Sequence, residues 1–393
     1  MADVGRGAQS TPLFLDVSRS DDASSRSWDQ ERRLWWLLWS ACPGVGWVRL
    51  CQLEQRFGTL AEAWCAPLES LKRLGGVGEG WCAGVAAHRR RWGPAPLSSW
   101  AEHVRRGRGL LVPGDPAWPP SLAGLERPPL VLHWAGLGSS WPLLARRQAV
   151  AVVGTRRPSR QGLAMADALG AALAQAGWPV LSGLADGIDA AAHRGCLRAS
   201  GRPIAVLGTP LERVYPSHHQ GLQAAVRRQG LLISEQPPGG GVCAGHFAAR
   251  NRLLVSLARA VVLVECPERS GALHSARLAW EQQLPLWVVP GDAARLSARG
   301  SNGWLAKGAS LLLEPADLIR QLGEGPLAAA AGGGRSAGVA GDAELLQALG
   351  GGASLEQLCQ VLHSPAAQLA PRLLALELAG AIRAEPGLHW RPL

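Results

Sequence analysis

In the segment GHFAARNR, Phe247 stands three positions ahead of the run Arg250, Asn251 and Arg252. Guanidinium groups supply contacts to phosphate, an asparagine amide can read a sugar or base edge, and an aromatic face can hold a base by stacking. Arginine beside an aromatic face is the recurring chemistry of single-strand nucleic-acid binding. The same residues also allow an internal reading, with Phe247 as a core plug and the arginines paired with Glu235 or Glu265. The residue types leave both readings open.

Four other stretches carry similar chemistry. GTRRPSRQG presents Gly154, Thr155, Arg156, Arg157 and Arg160; it lacks the GxGxxG fingerprint of dinucleotide binding but is a glycine turn entering a helix, where free N–H groups suit an anion. SGLADGIDAAAHRG presents Ser182, Gly183 and Gly187, CPERSGALHSA presents Ser270 and Gly271, and PGDAARLSARGSNGWLAKGA presents Ser301 and Asn302. Loops of this kind on one rim predict a long anion-binding groove, with Arg156 as its strongest contributor. Two other functions use the same residues. A nucleotide-processing enzyme of the phosphoribohydrolase kind would employ PPGGG at 237–241 and a carboxylate from Asp186, Asp189, Glu235 or Glu265, although local spacing fixes no acid–base pair. A small-nucleotide sensor would use the rim without chemistry. Asp189 and His193, four apart on one helix face, read as capping and bracing.

The elements that position these loops follow from short apolar runs bounded by Gly, Pro or a charge. Strands are predicted at 149–154, 179–183, 203–208, 231–235, 260–265, 285–291 and 310–314. Helices are predicted between them, at 161–177, 188–199, 217–229, 248–258, 271–283 and 302–308. Alternation of doubly buried strands with helices implies an α/β fold around a mostly parallel sheet, with ligands at the carboxyl ends of the strands.

Composition agrees with a polyanion partner. The chain of 393 residues has a formal net charge of +10, and all but two of its 40 basic residues are arginine. Residues 1–27 carry a net −1, 28–149 +6, 150–320 +7 and 321–393 −2, so the surplus sits in the two middle segments. A GC-rich genome explains arginine in place of lysine but not the shortage of acids. The eight cysteines form no CxxC or zinc spacing, which reads as reduced thiols in the cytoplasm. His218 and His219 read as surface-loop residues, and no metal or cofactor is expected. No run of about 20 apolar residues implies a membrane span, and residues 1–27 read as a disordered leader.

The quoted motifs, with AVLGTPLERVYP and GLLISEQPPG between them and GDPAWPPSLAGLERPPLVLHWAG ahead, stand in the order and spacing of the DprA/Smf family, the DNA-processing proteins of natural transformation, which residues from about 110 to 320 resemble. Three positions depart from the family pattern: Asp186 stands at a usual Arg, Thr209 at a usual Cys and Ser275 at a usual Thr. Asp186 takes one positive charge from the rim. The resemblance implies an extended Rossmann-like domain that binds and protects single-stranded DNA, forms a homodimer and loads RecA recombinase onto strands coated by single-strand binding protein, with no turnover.

The flanks suit that family. PGVG (43–46) and GGVG (75–78) between helical runs resemble paired helix-hairpin-helix motifs, and the tail resembles a winged helix whose acidic balance favours a protein contact. Twelve of the 17 tryptophans lie between 28 and 141, and Trp35, Trp36 and Trp39 read as core. The expected organisation is a leader at 1–27, a helical helix-hairpin-helix or SAM-like domain at 28–105, the Rossmann-like domain at 106–323, a flexible linker at 324–341 and a winged-helix domain at 342–393.

Overall fold

A computed structural model describes residues 30–93, 95–97, 109–328, 343–378, 381–385 and 389–392. The expected leader and linker residues 329–341 lie outside this range. Residues 324–328 run back along the domain instead of leaving it, with Gly325 N–H bonded to Ala176 O and Leu327 N–H to Gly177 O.

Five helices come first: α1 (Gln30–Ser40), α2 (Trp47–Phe57), α3 (Leu60–Cys65), α4 (Leu68–Lys72) and α5 (Glu79–Trp92). The two glycine turns fall between α1 and α2 and between α4 and α5. Thr59 and Glu62 form a capping box that starts α3, each side chain accepting from the other residue's backbone N–H at 3.1 Å. Trp35, Trp36 and Trp39 are buried, as their helical spacing predicts, and Trp39 meets Trp64 edge to face at 5.3 Å.

The central sheet has nine strands: β1 (Gly109–Leu111), β2 (Leu132–Gly136), β3 (Val150–Val153), β4 (Val180–Ser182), β5 (Pro203–Leu207), β6 (Leu231–Ser234), β7 (Ala260–Leu263), β8 (Leu286–Val288) and β9 (Ser310–Leu311). Their order is β1-β2-β6-β5-β4-β3-β7-β8-β9. Strands β3 to β9 are parallel, and β2 pairs antiparallel with both β6 and β1. The seven parallel strands are those predicted by sequence. Helix α6 (Trp141–Ala145) precedes β3, and the others alternate with the strands: α7 (Arg160–Gln175), α8 (Ile188–Arg198), α9 (Gln220–Gln229), α10 (Ala244–Ser256), α11 (Gly271–Glu281), α12 (Arg299–Leu305) and α13 (Pro315–Leu322). Both faces are covered. Val150 and Val152 pack with Leu169, Leu173 and Ile188 on one side, and Ala151 and Val153 with Leu253 and Leu254 on the other.

The chain runs outward from β3 to β6, returns to place β7 on the other side of β3, and continues to β9. The reversal lies between β3 and β7, the position at which sheets of this type open a crevice at their carboxyl edge.

The hairpin β1–β2 joins the helices to the sheet. Arg33 pairs with Asp115 at 3.0 Å, and Trp36 Nε1 donates to Leu130 O at 2.8 Å. The C-terminal residues form α14 (Ala343–Leu349), β10 (Ala353–Ser354), α15 (Leu355–Val361), α16 (Ala366–Leu378), β11 (Ile382–Glu385) and β12 (His389–Pro392), with an antiparallel sheet in the order β10-β12-β11. Helix α16 packs on residues 138–145. One apolar core runs from Trp134, Trp141 and Leu144 to Leu369, Leu373 and Trp390.

Candidate nucleic-acid interface

At the carboxyl edge of the sheet, Arg156, Arg157 and Arg160 occupy the loop and first helical residue after β3, and all three are exposed. The guanidinium of Arg156 lies over Phe247, 5.5 Å from its ring centre. Phe247, in the first turns of α10, is half-buried and packs against Tyr215, 4.9 Å between ring centres. Arg156, Phe247, Tyr215, Val242, Cys243 and Ala244 line a cavity of about 360 Å³. Cation and aromatic faces thus meet in one hollow at the strand ends. Tyr215, the only tyrosine in the chain, is 45 % exposed there and escaped sequence reasoning; its isolation within LERVYP was the available signal.

Behind this hollow, the other predicted phosphate contacts face inward. Arg250 is buried, and its Nη1 donates to Val206 O. Its guanidinium lies so close over Gly183 that a Cβ there would come within 1.9 Å of Nη1, which explains the glycine. Asp189, buried below, accepts from the N–H groups of Gly183 at 3.1 Å and Ala185 at 3.4 Å. Burial pushes the Asp189 carboxyl up from the ordinary range, and the nearby Arg250 opposes that rise. Arg252 forms an ion pair with Glu235, whose pKa burial also raises. The Asn251 amide donates to Gly271 O at 3.1 Å. Arg250, Asn251 and Arg252 therefore brace the rim from within, and the Arg252–Glu235 pair is the internal reading that GHFAARNR left open.

The starts of α7 and α11 are also occupied by the chain's own side chains. Glu265, at the end of β7, accepts from Ser159 N–H at 3.0 Å and Ser159 Oγ at 2.7 Å, and from Ser297 Oγ. Its carboxylate sits where the dipole of α7 favours an anion, so the chain's own acid takes the place foreseen for a phosphate beside Arg156. Gly154 and Thr155 join this arrangement: Thr155 is buried, its N–H bonds to Glu265 O at 2.7 Å and its Oγ1 accepts from Arg157 N–H at 3.2 Å, while Gly154 packs between Ile188 and Glu265. Gly187 adopts a positive φ of 77° against Thr155 O, a conformation and an approach that a side chain would prevent.

The remaining polar residues serve the same internal purpose. Ser182 Oγ donates to Val152 O at 2.6 Å, Ser270 caps α11 by accepting from Ala272 N–H at 3.3 Å, and Ser301 Oγ donates to Ala298 O at 2.9 Å. Asn302 exchanges two bonds with Gly291, at 3.0 and 2.9 Å. Gly271, exposed, offers its carbonyl to Asn251. The starts of α7 and α11 are thus filled from within the chain, and beside them the rim presents arginine side chains next to an aromatic hollow.

His219 is buried, which corrects its reading as a surface-loop residue. It faces His218 and Asp186. Among the described residues no helix is long and apolar enough to cross a membrane.

The comparisons with known proteins agree with this architecture. The family model of DNA recombination-mediator protein A matches residues 109–323. The protein Smf of Synechocystis is 35 % identical over 293 residues, which is 75 % of this chain and 73 % of that one. The DNA processing protein DprA of Bacillus subtilis is 32 % identical over 224 residues, covering 57 % of this chain and 74 % of its own length. The X-ray structure of DNA processing protein A from Streptococcus pneumoniae superposes with a TM-score of 0.61 at 26 % identity, covering 75 % of this chain and 98 % of that one. On the sheet, the motifs at its carboxyl edge and these matches, the chain belongs to the DNA recombination-mediator protein A family, the DprA/Smf proteins.

Proposed function

We propose that this chain binds single-stranded DNA at the hollow between Arg156, Phe247 and Tyr215, with Arg157 and Arg160 continuing the cationic surface. The placement of the Arg156 guanidinium over the Phe247 ring carries this reading. Arginine neutralises the backbone while the ring faces accept unstacked bases, which a duplex does not offer. Three of the four carboxylates considered for a phosphoribohydrolase, all but Asp186, are engaged inside the fold, which favours binding over that alternative. Asp189 is buried under backbone N–H groups, Glu235 is paired with Arg252, and Glu265 is held by Ser159 and Ser297.

Within the same proposal the protein is a cytoplasmic homodimer that protects incoming strands and loads RecA onto them, acting on DNA already coated by single-strand binding protein. The C-terminal unit is read as a winged helix used for protein contact, which its net acidity supports. Fluorescence anisotropy with a labelled oligonucleotide, its duplex and free nucleotides tests the central point. The expected order is single strand tightest, duplex weaker and mononucleotides weakest, with single-strand affinity falling steeply as salt rises. Affinity for mononucleotides equal to that for the strand would turn the reading to a sensor.

A further inference from the structure

We propose that Asp186, His218 and His219 form a binding site for one divalent transition-metal ion, with Zn²⁺ as its best match. One ligand atom from each of the three lies within 4.8 Å of the others. Asp186 Oδ1 is 2.8 Å from His218 Nε2 and 3.3 Å from His219 Nε2. Zinc bonds to nitrogen and oxygen of about 2.0–2.2 Å imply ligand separations of roughly 3.3 Å in a tetrahedral site. The Asp186–His219 separation already has that value, and the exposed His218 would have to move to bring the other two separations to it.

The second observation is the way His219 is held. Its Nδ1 is 3.0 Å from Leu184 O, and a carbonyl only accepts, so Nδ1 carries the proton. In the neutral ring, Nε2 then turns a lone pair toward the carboxylate oxygen of Asp186. Two acceptors 3.3 Å apart need an electropositive group between them, either a second ring proton or a metal ion. A backbone carbonyl on one ring nitrogen is the usual device that fixes a metal-ligating histidine in its binding tautomer. The ring is only 2 % exposed, so its position does not depend on solvent.

The sequence placement is specific. Asp186 comes from the loop after β4, and the histidines from the short turn at 217–219 that leads into α9. Asp186 supplies the one anionic ligand. Two imidazoles and a carboxylate suit Zn²⁺, and also Co²⁺ and Ni²⁺, better than Mg²⁺ or Ca²⁺, which prefer oxygen donors. Three protein ligands leave a coordination position on the side of His218 and Asp186, which are 64 % and 41 % exposed. That position would be open to water. The ion would tie the loop after β4 to the turn ahead of α9, and its binding stands apart from the DNA reading.

The test is titration of the chelator-treated full-length protein with Zn²⁺ against a chromophoric indicator, and with Co²⁺ by absorption. One equivalent of Zn²⁺ is expected to bind, with a Co²⁺ spectrum showing visible d–d bands and no sulfur charge-transfer band in the near ultraviolet. Asp186→Ala, at a half-buried position, and His218→Ala, at an exposed one, should each weaken the metal by at least about tenfold, and Zn²⁺ should raise the melting temperature of the parent but not of either variant. Absence of saturable binding would overturn the proposal. So would a thiolate-type spectrum that both variants retain, which would place the metal on cysteines. A third adverse result is a histidine NMR spectrum, unchanged by Zn²⁺, showing His219 protonated at both nitrogens, which would make a proton the group held between His219 and Asp186.

Discussion

The guanidinium carbon of Arg156 lies 5.5 Å from the centre of the Phe247 ring, and the ring of Tyr215 lies 4.9 Å from Phe247. Charge and stacking surface therefore adjoin but belong to different residues, so their contributions separate by salt dependence. Arg156→Ala should weaken single-strand binding about tenfold, or roughly 1.4 kcal/mol, and lower the slope of log K against log salt by about 0.7 for the phosphate it releases. The effect falls at the low end for a charge-assisted contact because Glu265 already occupies the adjoining helix end. Phe247→Ala should cost about 1–3 kcal/mol with little change in slope. Anisotropy at four salt concentrations checks both. Equal slope changes in the two variants would mean that stacking and charge are not divided in this way.

Tyr215 provides a finer comparison. Its ring, rather than its hydroxyl, faces Phe247, so Tyr215→Phe should bind like the parent. Tyr215→Ala should lose affinity in the same range as Phe247→Ala. A loss in Tyr215→Phe equal to that in Tyr215→Ala would assign the contribution to the hydroxyl.

Arg250 and Arg156 should behave in opposite ways. Arg250 is buried between Val206 O and Gly183, and Asp189 faces it from below. Arg250→Met leaves the Asp189 carboxylate without its cation, and urea denaturation should show a loss of about 3–5 kcal/mol. Adding Asp189→Asn should restore part of it. Arg156→Ala, at an exposed position, should stay within about 0.5 kcal/mol of the parent. A stable Arg250→Met protein with impaired DNA binding would place Arg250 in the groove after all.

His193 governs part of the acid response. It is fully buried, its Nε2 donates to Ile204 O at 3.2 Å, and burial lowers its pKa from 6.5 to about 4. Between those values the unfolded chain takes up a proton that the folded chain refuses, so stability is full above pH 6.5 and falls as pH drops toward 4. The loss amounts to about 3 kcal/mol at the lower limit. The buried carboxyls of Asp189 and Glu235, with raised pKa values, act in the opposite sense. The difference in urea stability between the parent and His193→Gln, measured at pH 7 and pH 5, isolates the histidine. The parent should lose more on acidification than the variant; equal losses would mean that His193 is already charged in the fold.

Local sequence served the sheet better than the rim. Runs such as AVAVV and AVVLV can hardly be anything but buried strands, and all seven parallel strands follow from such runs. Strands β1 and β2 were missed because GLL and LHWAG are short and lack a branched run. The rim depends on partners far apart in the chain. Arg250 looks like Arg156 in sequence, yet Arg250 is met by Val206 and Asp189 and Arg156 by solvent and Phe247. Glu265 fills the start of α7 from 106 residues away in the chain. Nothing near GTRRPSR announces that carboxylate. His219 likewise gave no local sign of burial, because the carbonyl that holds it comes from Leu184, 35 residues earlier.

The hairpin β1–β2 has a mechanical meaning. The helical unit is fastened to it through Arg33–Asp115 and Trp36–Leu130, and α16 rests on residues 138–145, directly after β2. Tension on the helical unit therefore enters the sheet on one flank, where β2 meets β6. Between that entry and the β3–β7 crevice lie the ladders of β6, β5 and β4. A pull on the helical unit therefore loads the junction of the hairpin with β6 before it reaches the arginine loop after β3.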